Sequence, residues 1–260
     1  MAAALLSHRQ ADGTIATHPY KKWQGPHLRL YSLAQLGHPS GDESLRPLFE
    51  QGCGWLLARQ HLRPPSTAIL PGQAGRIRRC APQEGVAIWY AVTLGLADDR
   101  TDELVSQLVS RLVSRLVTRQ WPDGGWNCDL DASAASSSVY ETLLPMRGLA
   151  AYGSAAGDEA ATHAARRAAD VLLDRRVVFH RSSGELIDPN WARLHYPLYW
   201  RYDVLGGLKG LAELGLVTDD RCEAALDLLE AKELPDGAGW AAEARYYQGR
   251  AGSRPGTTTW

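Results

Sequence analysis

Arg119-Gln120-Trp121-Pro122-Asp123-Gly124-Gly125-Trp126-Asn127-Cys128-Asp129 is the stretch on which the reading of this chain turns. It closes one amphipathic run, residues 104–120, and precedes another that opens near Val139. Proline lacks an amide hydrogen and glycine loses most entropy in a helix, so Pro-Asp-Gly-Gly forces a turn. Two tryptophans bracket that turn, and Cys128, Asp129 and Asp131 follow at once. A weaker copy, Leu234-Pro235-Asp236-Gly237-Ala238-Gly239-Trp240, stands near the C-terminal end. A turn that recurs with its tryptophan marks a repeat architecture.

Working outward, apolar residues recur at helical spacing over 23–36, 45–60, 83–96, 104–120, 139–152, 159–175, 202–216 and 219–233. Residues 1–20 lack periodicity and read as an N-terminal arm, and the proline-bearing stretches 61–82 and 177–199 read as connections. Thr101 or Asp102 suits an N-cap, and Leu-Val pairs at 104/105, 108/109, 112/113 and 116/117 give the following helix a broad apolar stripe. No stretch alternates with the period of a strand. First helices end at Gly37, Gly95, Gly153 and Gly215, a near-constant period. The reading is an all-α repeat of helix pairs, one domain over residues 21–260, in which each pair needs its neighbours to bury its faces.

Composition bounds the function. A net charge of −1 without a long basic block gives no support for nucleic-acid binding, which needs clustered cations. No segment reaches the length of a membrane span, and the apolar start is too short, and lacks the basic residues, for a signal peptide. The four cysteines at 53, 80, 128 and 222 contain no CxxC, so a reduced, cytoplasmic protein is expected. Nine Trp and ten Tyr against two Phe point to rings with a polar handle, which line pockets as readily as they pack cores. There is no phosphate loop, nucleophile elbow, HExxH or Asp-rich metal box, which argues against magnesium-driven ionisation of a diphosphate.

Gln120-Trp121-Pro122-Asp123-Gly124-Gly125-Trp126 resembles the tryptophan-containing turn of the prenyltransferase and squalene-cyclase superfamily, an α/α toroid of concentric inner and outer helices. Gly124 to Asp129 with Ser137-Ser138-Val139-Tyr140-Glu141-Thr142-Leu143, Ile187-Asp188-Pro189, and Tyr202-Asp203-Val204-Leu205-Gly206-Gly207-Leu208 are similar to bacterial single-domain squalene-cyclase-like proteins. The resemblance covers roughly residues 21–240. It implies a toroid; four pairs are fewer than the six of a complete ring, and a further inner helix is expected from Thr257, so the expectation is an incomplete ring of four to five repeats.

With first helices inner, as the resemblance implies, their N-termini gather at one cavity mouth. That would bring together Lys22-Trp23-Gln24, Cys80 with Gln83-Glu84, Cys128-Asp129 with Tyr140-Glu141, and Tyr199 to Asp203. The family's protonating cyclases use an Asp-x-Asp-Asp-Thr-Ala acid motif. Two degenerate registers are open here: Asp129-Leu130-Asp131-Ala132-Ser133-Ala134, and Ser138 to Leu143, which puts Tyr140 at the acid position. The leading expectation is protonation-initiated cyclisation or isomerisation of an isoprenoid or similar small apolar substrate. Asp129, Asp131 and Glu141 compete for the acid role, with Tyr140 as proton relay or cation stabiliser. Trp23, Trp126, Tyr199, Trp200 and Tyr202 are candidate walls, and Trp191 to Asp203, with His195, Tyr199 and Asp203, is either a lid over one mouth or a packed inter-repeat loop. The same carboxylates also suit plain helix N-caps, and Cys80 and Cys128 plain buried thiols, with Cys53 and Cys222 in the core. No cofactor is needed for the acid reading. The alternatives are a zinc-dependent transferase using Cys80 and Cys128, as in the prenyltransferase branch, and a non-catalytic scaffold for lipid or protein.

Overall fold

The computed structural model describes residues 2–58, 75–97, 103–199, 201–235 and 237–244, and over these the protein is all-α. Its helices are α1 (Ala2–Leu5), α2 (Pro26–Gln35), α3 (Arg46–Leu56), α4 (Pro82–Thr93), α5 (Glu103–Arg119), α6 (Val139–Ala156), α7 (Glu159–Leu173), α8 (Val204–Glu213) and α9 (Glu223–Glu230). Short 3-10 turns lie at Glu43–Leu45, Pro189–Ala192 and Asp220–Cys222. Among the described residues, β-pairing is confined to the isolated bridges Phe179–Leu186, His195–Ala244 and Glu233–Trp240. No described helix is long and apolar enough to cross a membrane. The N-cap candidates Thr101 and Asp102 lie outside the described residues.

The chain forms two compact units, Met1–Ala169 and Asp170–Trp260. In the first, the N-terminal arm is folded against the helices. Arg29 of α2 donates to the carbonyls of Leu5 (2.6 Å) and Ser7 (2.9 Å), and Gln51 of α3 holds both backbone polar groups of the buried Ile15.

The third helix pair corrects the sequence reading. The break was expected at Gly153, yet α6 continues to Ala156 and ends on Gly157. Ser154-Ala155-Ala156 are adequate helix formers, and the left-handed cap (φ 68°) that glycine alone adopts cheaply falls at 157. Gly153 answers a different need, since a Cβ there would sit 2.3 Å from Thr162 Oγ1. The capping glycines are thus Gly37, Gly95, Gly157 and Gly215, and the period stays near-constant.

Burial separates two kinds of helix in the first unit. From Glu84 to Ala91 every residue of α4 is buried, as is every residue of α6 from Thr142 to Leu149. By contrast, α5 buries one stripe, Val109, Leu112, Val113 and Leu116, and exposes Ser110, Arg111 and Ser114. A helix apolar all round belongs inside, and one with a stripe belongs at the surface. The extensive α4–α6 packing depends on Gly85 and Gly148. A Cβ on Gly85 would lie 2.4 Å from Pro145 Cα, and one on Gly148 2.3 Å from Gly85 O. With no side chain at the crossing, the two backbones touch, at the first turn of α4 and the middle of α6.

The tryptophan turn staples these elements. Trp121 N donates to Gly125 O (2.8 Å), Gly124 N to Trp121 O (2.9 Å), and the Trp126 indole to Leu116 O of α5 (3.1 Å). The second copy repeats this pattern: Leu234 N to Gly239 O (2.8 Å), Gly237 N to Leu234 O (2.9 Å), and the Trp240 indole to Leu229 O of α9 (2.8 Å). Trp121 also donates to Ile77 O ahead of α4 under the Arg78 guanidinium, and Gln120 donates to Ala164 O of α7. Both Trp121 and Trp126 are fully buried, a packing contribution of about 3–5 kcal/mol each on truncation.

Candidate metal centre

The α4–α6 crossing brings the two helix starts side by side, and three acidic groups meet there. Cys80 lies two residues ahead of Pro82, Cys128 leaves the tryptophan turn, and Glu141 occupies the first turn of α6. Cys80 Sγ is 3.6 Å from Cys128 Sγ and 3.8 Å from Glu141 Oε1, and donor atoms of all three residues lie within 4.8 Å of one another. The other Glu141 oxygen accepts from Ala81 N (3.1 Å), which fixes the carboxylate's orientation. Cys80 is exposed, and Cys128 and Glu141 are half-buried. This corrects the expectation of two buried thiols, whereas Cys53 and Cys222 are core residues as read.

Burial, then the neighbouring Cys128 charge and hydrogen bond, push the Glu141 carboxyl up to about 8. The Cys80 hydrogen bond, then burial, push the Cys128 thiol up. Both Glu141 and Cys128 are thus held towards their neutral forms, the situation a bound cation inverts. Ligands of zinc at ~2.3 Å (thiolate) and ~2.0 Å (carboxylate), at tetrahedral angles of ~109°, stand about 3.5–3.8 Å apart. The observed sulfur–sulfur edge of 3.6 Å and sulfur–oxygen edge of 3.8 Å each come within about 0.3 Å of their zinc values, and the third pair of donors lies within 4.8 Å.

One side of the centre is aromatic. Tyr20, at the end of the arm, bonds Gln83 and faces Cys80 and Glu141; burial, then the Cys80 charge, raise its phenol. Its ring stacks on Trp55 (5.5 Å, 10°), with His18 edge-on to Trp55 (5.4 Å). Behind them His27, buried and held neutral down to about 3 by that burial, contacts the Tyr90 hydroxyl at 3.2 Å. Sequence reasoning missed Tyr20 because it sits in a stretch without periodicity; Trp55 was read only as a helix residue.

The acid register Asp129–Ala134 is not brought to the centre. Asn127, Asp129 and Asp131 each accept, through the side chain, the amide two residues on (2.9, 2.9 and 2.8 Å), a staircase of Asx turns. Arg78 bonds the carbonyls of Asp129 and Ala134 and so pins the loop. Asp131 is exposed, and the amide and hydroxyl of Ser133 hold its carboxyl below the usual range, opposite to what a proton donor needs. Of the acid candidates, Glu141 alone joins Cys80 and Cys128; Tyr140 is half-buried beside it in sequence.

The expected walls divide. Trp126 is a core staple, 1% exposed, with its indole spent on Leu116 O, so its assignment to a substrate wall is corrected. Trp23 is half-buried with left-handed backbone (φ 68°) just ahead of α2. Tyr202, His195 and Asp203 hold the second unit together. Tyr202 donates to Val177 O (2.7 Å), and Asp203 caps α8 through Gly206 N (2.8 Å) while accepting from His195 N (2.7 Å). Tyr199 is buried at φ 48°, and Trp200 lies outside the described residues. A cavity of about 610 Å³ in this unit is lined by Asp174, Arg175, Phe179, His180, Arg181, Ser182 and Ile187, none of them predicted. Glu84, expected at the mouth, instead takes Arg115 at 2.5 Å and Arg119 at 3.6 Å in a buried cluster. No protein family, curated protein or solved structure matches this chain.

Proposed function

We propose that the chain is a zinc-dependent enzyme built as an α/α toroid of the prenyltransferase and squalene-cyclase type, with Cys80, Cys128 and Glu141 as the metal ligands. The observation that carries the reading is the sulfur–sulfur and sulfur–oxygen spacing at the α4 and α6 starts. Two thiolates and one carboxylate form a donor set suited to zinc, and three protein ligands leave a position for a reactant. When bound there, zinc supplies a Lewis acid that lowers the pKa of a water or thiol in that position. Ala81 N–H orients Glu141, and Tyr20 with Gln83 places a hydroxyl beside the reacting group. The stacked Tyr20–Trp55 pair offers a face to an apolar, isoprenoid-like substrate. The runs Glu84 to Ala91 of α4 and Thr142 to Leu149 of α6, buried at every residue, beside the striped α5 support a reading of inner and outer layers. A reducing compartment such as the cytoplasm keeps the two thiols available.

Elemental analysis of chain purified from zinc-supplemented cells tests the proposal. About one zinc per chain is expected, lost in Cys80→Ser, Cys128→Ser and Glu141→Gln variants that still fold. Wild-type chain without zinc after reconstitution overturns it. A second reading keeps Glu141 as general acid for protonation-initiated cyclisation, because its carboxyl stays neutral up to about 8. An acid that weak suits proton transfer to a developing base better than to an alkene. Turnover of an isoprenoid that survives chelation and vanishes in Glu141→Gln would favour this second reading.

A further inference from the structure

Of the four cysteines, Cys53 and Cys222 are fully buried, and Cys80 and Cys128 face each other with sulfurs 3.6 Å apart. Cys80 is exposed, so a small oxidant reaches it from solvent, and Cys128 is half-buried directly behind it. A disulfide needs sulfurs about 2.05 Å apart, an approach of about 1.5 Å from the observed 3.6 Å. The two residues stand on segments without regular structure, ahead of α4 and after the tryptophan turn, so rigid helices do not oppose that approach. An exposed attacking cysteine with a resolving cysteine at its shoulder is the arrangement of redox-responsive thiols in reducing compartments.

We infer that Cys80 and Cys128 are an oxidisable dithiol, a modification site for low-molecular-weight disulfides that closes into an intramolecular bridge and thereby dismantles the metal centre. This goes beyond the zinc reading and rests on it only for the metal displaced. Cys80 thiolate attacks one sulfur of a small disulfide R–S–S–R, forming a mixed disulfide and expelling one thiolate, which takes a proton from water. Cys128, after giving its proton to solvent, attacks Cys80 Sγ and expels the second thiolate, which is protonated in turn. The protein loses two electrons and two protons, and one small disulfide becomes two thiols. Glu141 is left as the single protein ligand, too few to hold zinc.

The test incubates the full chain with oxidised glutathione and follows intact mass, free thiols and zinc release to a chromogenic chelator. Expected are a loss of about 2 Da, a fall from four to two titratable thiols, a Cys80–Cys128 cross-linked peptide, and zinc release in step with bridging. A Cys53→Ala/Cys222→Ala variant should bridge as wild type does. A stable glutathione adduct at Cys80 without bridging, or four thiols retained under denaturing titration, overturns the inference. Stoichiometric zinc in a protein that never bridges defeats this inference and spares the metal reading; bridging in a protein that holds no zinc does the reverse.

Discussion

Glu141→Gln in zinc-free protein probes the centre through stability alone. The ordinary carboxyl value of 4.5 is raised to about 8 in the native chain. Each tenfold change in proton affinity is worth about 1.4 kcal/mol, so the full displacement amounts to roughly 5 kcal/mol. Water entering beside the exposed Cys80 relieves about half of it, leaving an expected ~2–3 kcal/mol. Below about 4.5 both states carry the proton and the group contributes no pH dependence. Between 4.5 and 8 the unfolded chain releases a proton that the native state keeps, so stability falls as pH rises and levels off above 8. Glutamine keeps an oxygen for Ala81 N–H and has nothing to titrate. Urea unfolding in chelator, followed by the fluorescence of buried Trp121 and Trp126, should therefore show the variant gaining on wild type from pH 5 to 9. Zinc should then reverse the order by stabilising wild type alone. Parallel wild-type and variant curves across that range would refute a Glu141 carboxyl held neutral by burial beside Cys128.

Three further outcomes follow from packing and charge. Gly148→Ala drives a methyl to 2.3 Å from Gly85 O and should cost about 3 kcal/mol in urea unfolding, whereas Gly157→Ala, with φ 68° and open space, should cost about 1 kcal/mol. Glu84→Gln removes the carboxylate that Arg115 and Arg119 share and should cost about 3–5 kcal/mol by the same assay, with little loss if the cluster is solvated. His27 is neutral down to about 3 in the native chain but titrates near 6.5 unfolded. Wild-type stability should thus fall as pH drops below 6.5, and His27→Gln should flatten that acid limb in pH-dependent melts.

The recurring Pro-Asp-Gly turn, the pairwise succession of helices and three of the four capping glycines were legible without coordinates. Turn chemistry and the 3.6-residue period are local, and local rules suffice for them. The fourth cap, Gly157, was misplaced to Gly153 because two glycines one helical turn apart are locally equivalent. Only the packing of Gly153 against Thr162 separates them. The site followed the same division. The resemblance gathered Cys80, Cys128 and Glu141 at one mouth together with Lys22 to Gln24 and Tyr199 to Asp203, but under rival chemistries, because periodicity does not say which side chains of such a set touch. Asp129 and Asp131 looked like an acid motif because the spacing of an Asx staircase, polar at every second residue, coincides with it.

Sequence pattern was therefore enough to specify an all-α chain of helix pairs punctuated by a tryptophan turn, since propensity, periodicity and backbone freedom act over a few residues. Which acidic groups share one point in space was settled by the three-dimensional packing. Cys80 lies far along the chain from Cys128 and Glu141, and the bare-backbone crossing of α4 and α6 at Gly85 and Gly148 brings the helix starts beside them together. That juxtaposition depends on long-range contacts, which pattern along the chain does not encode.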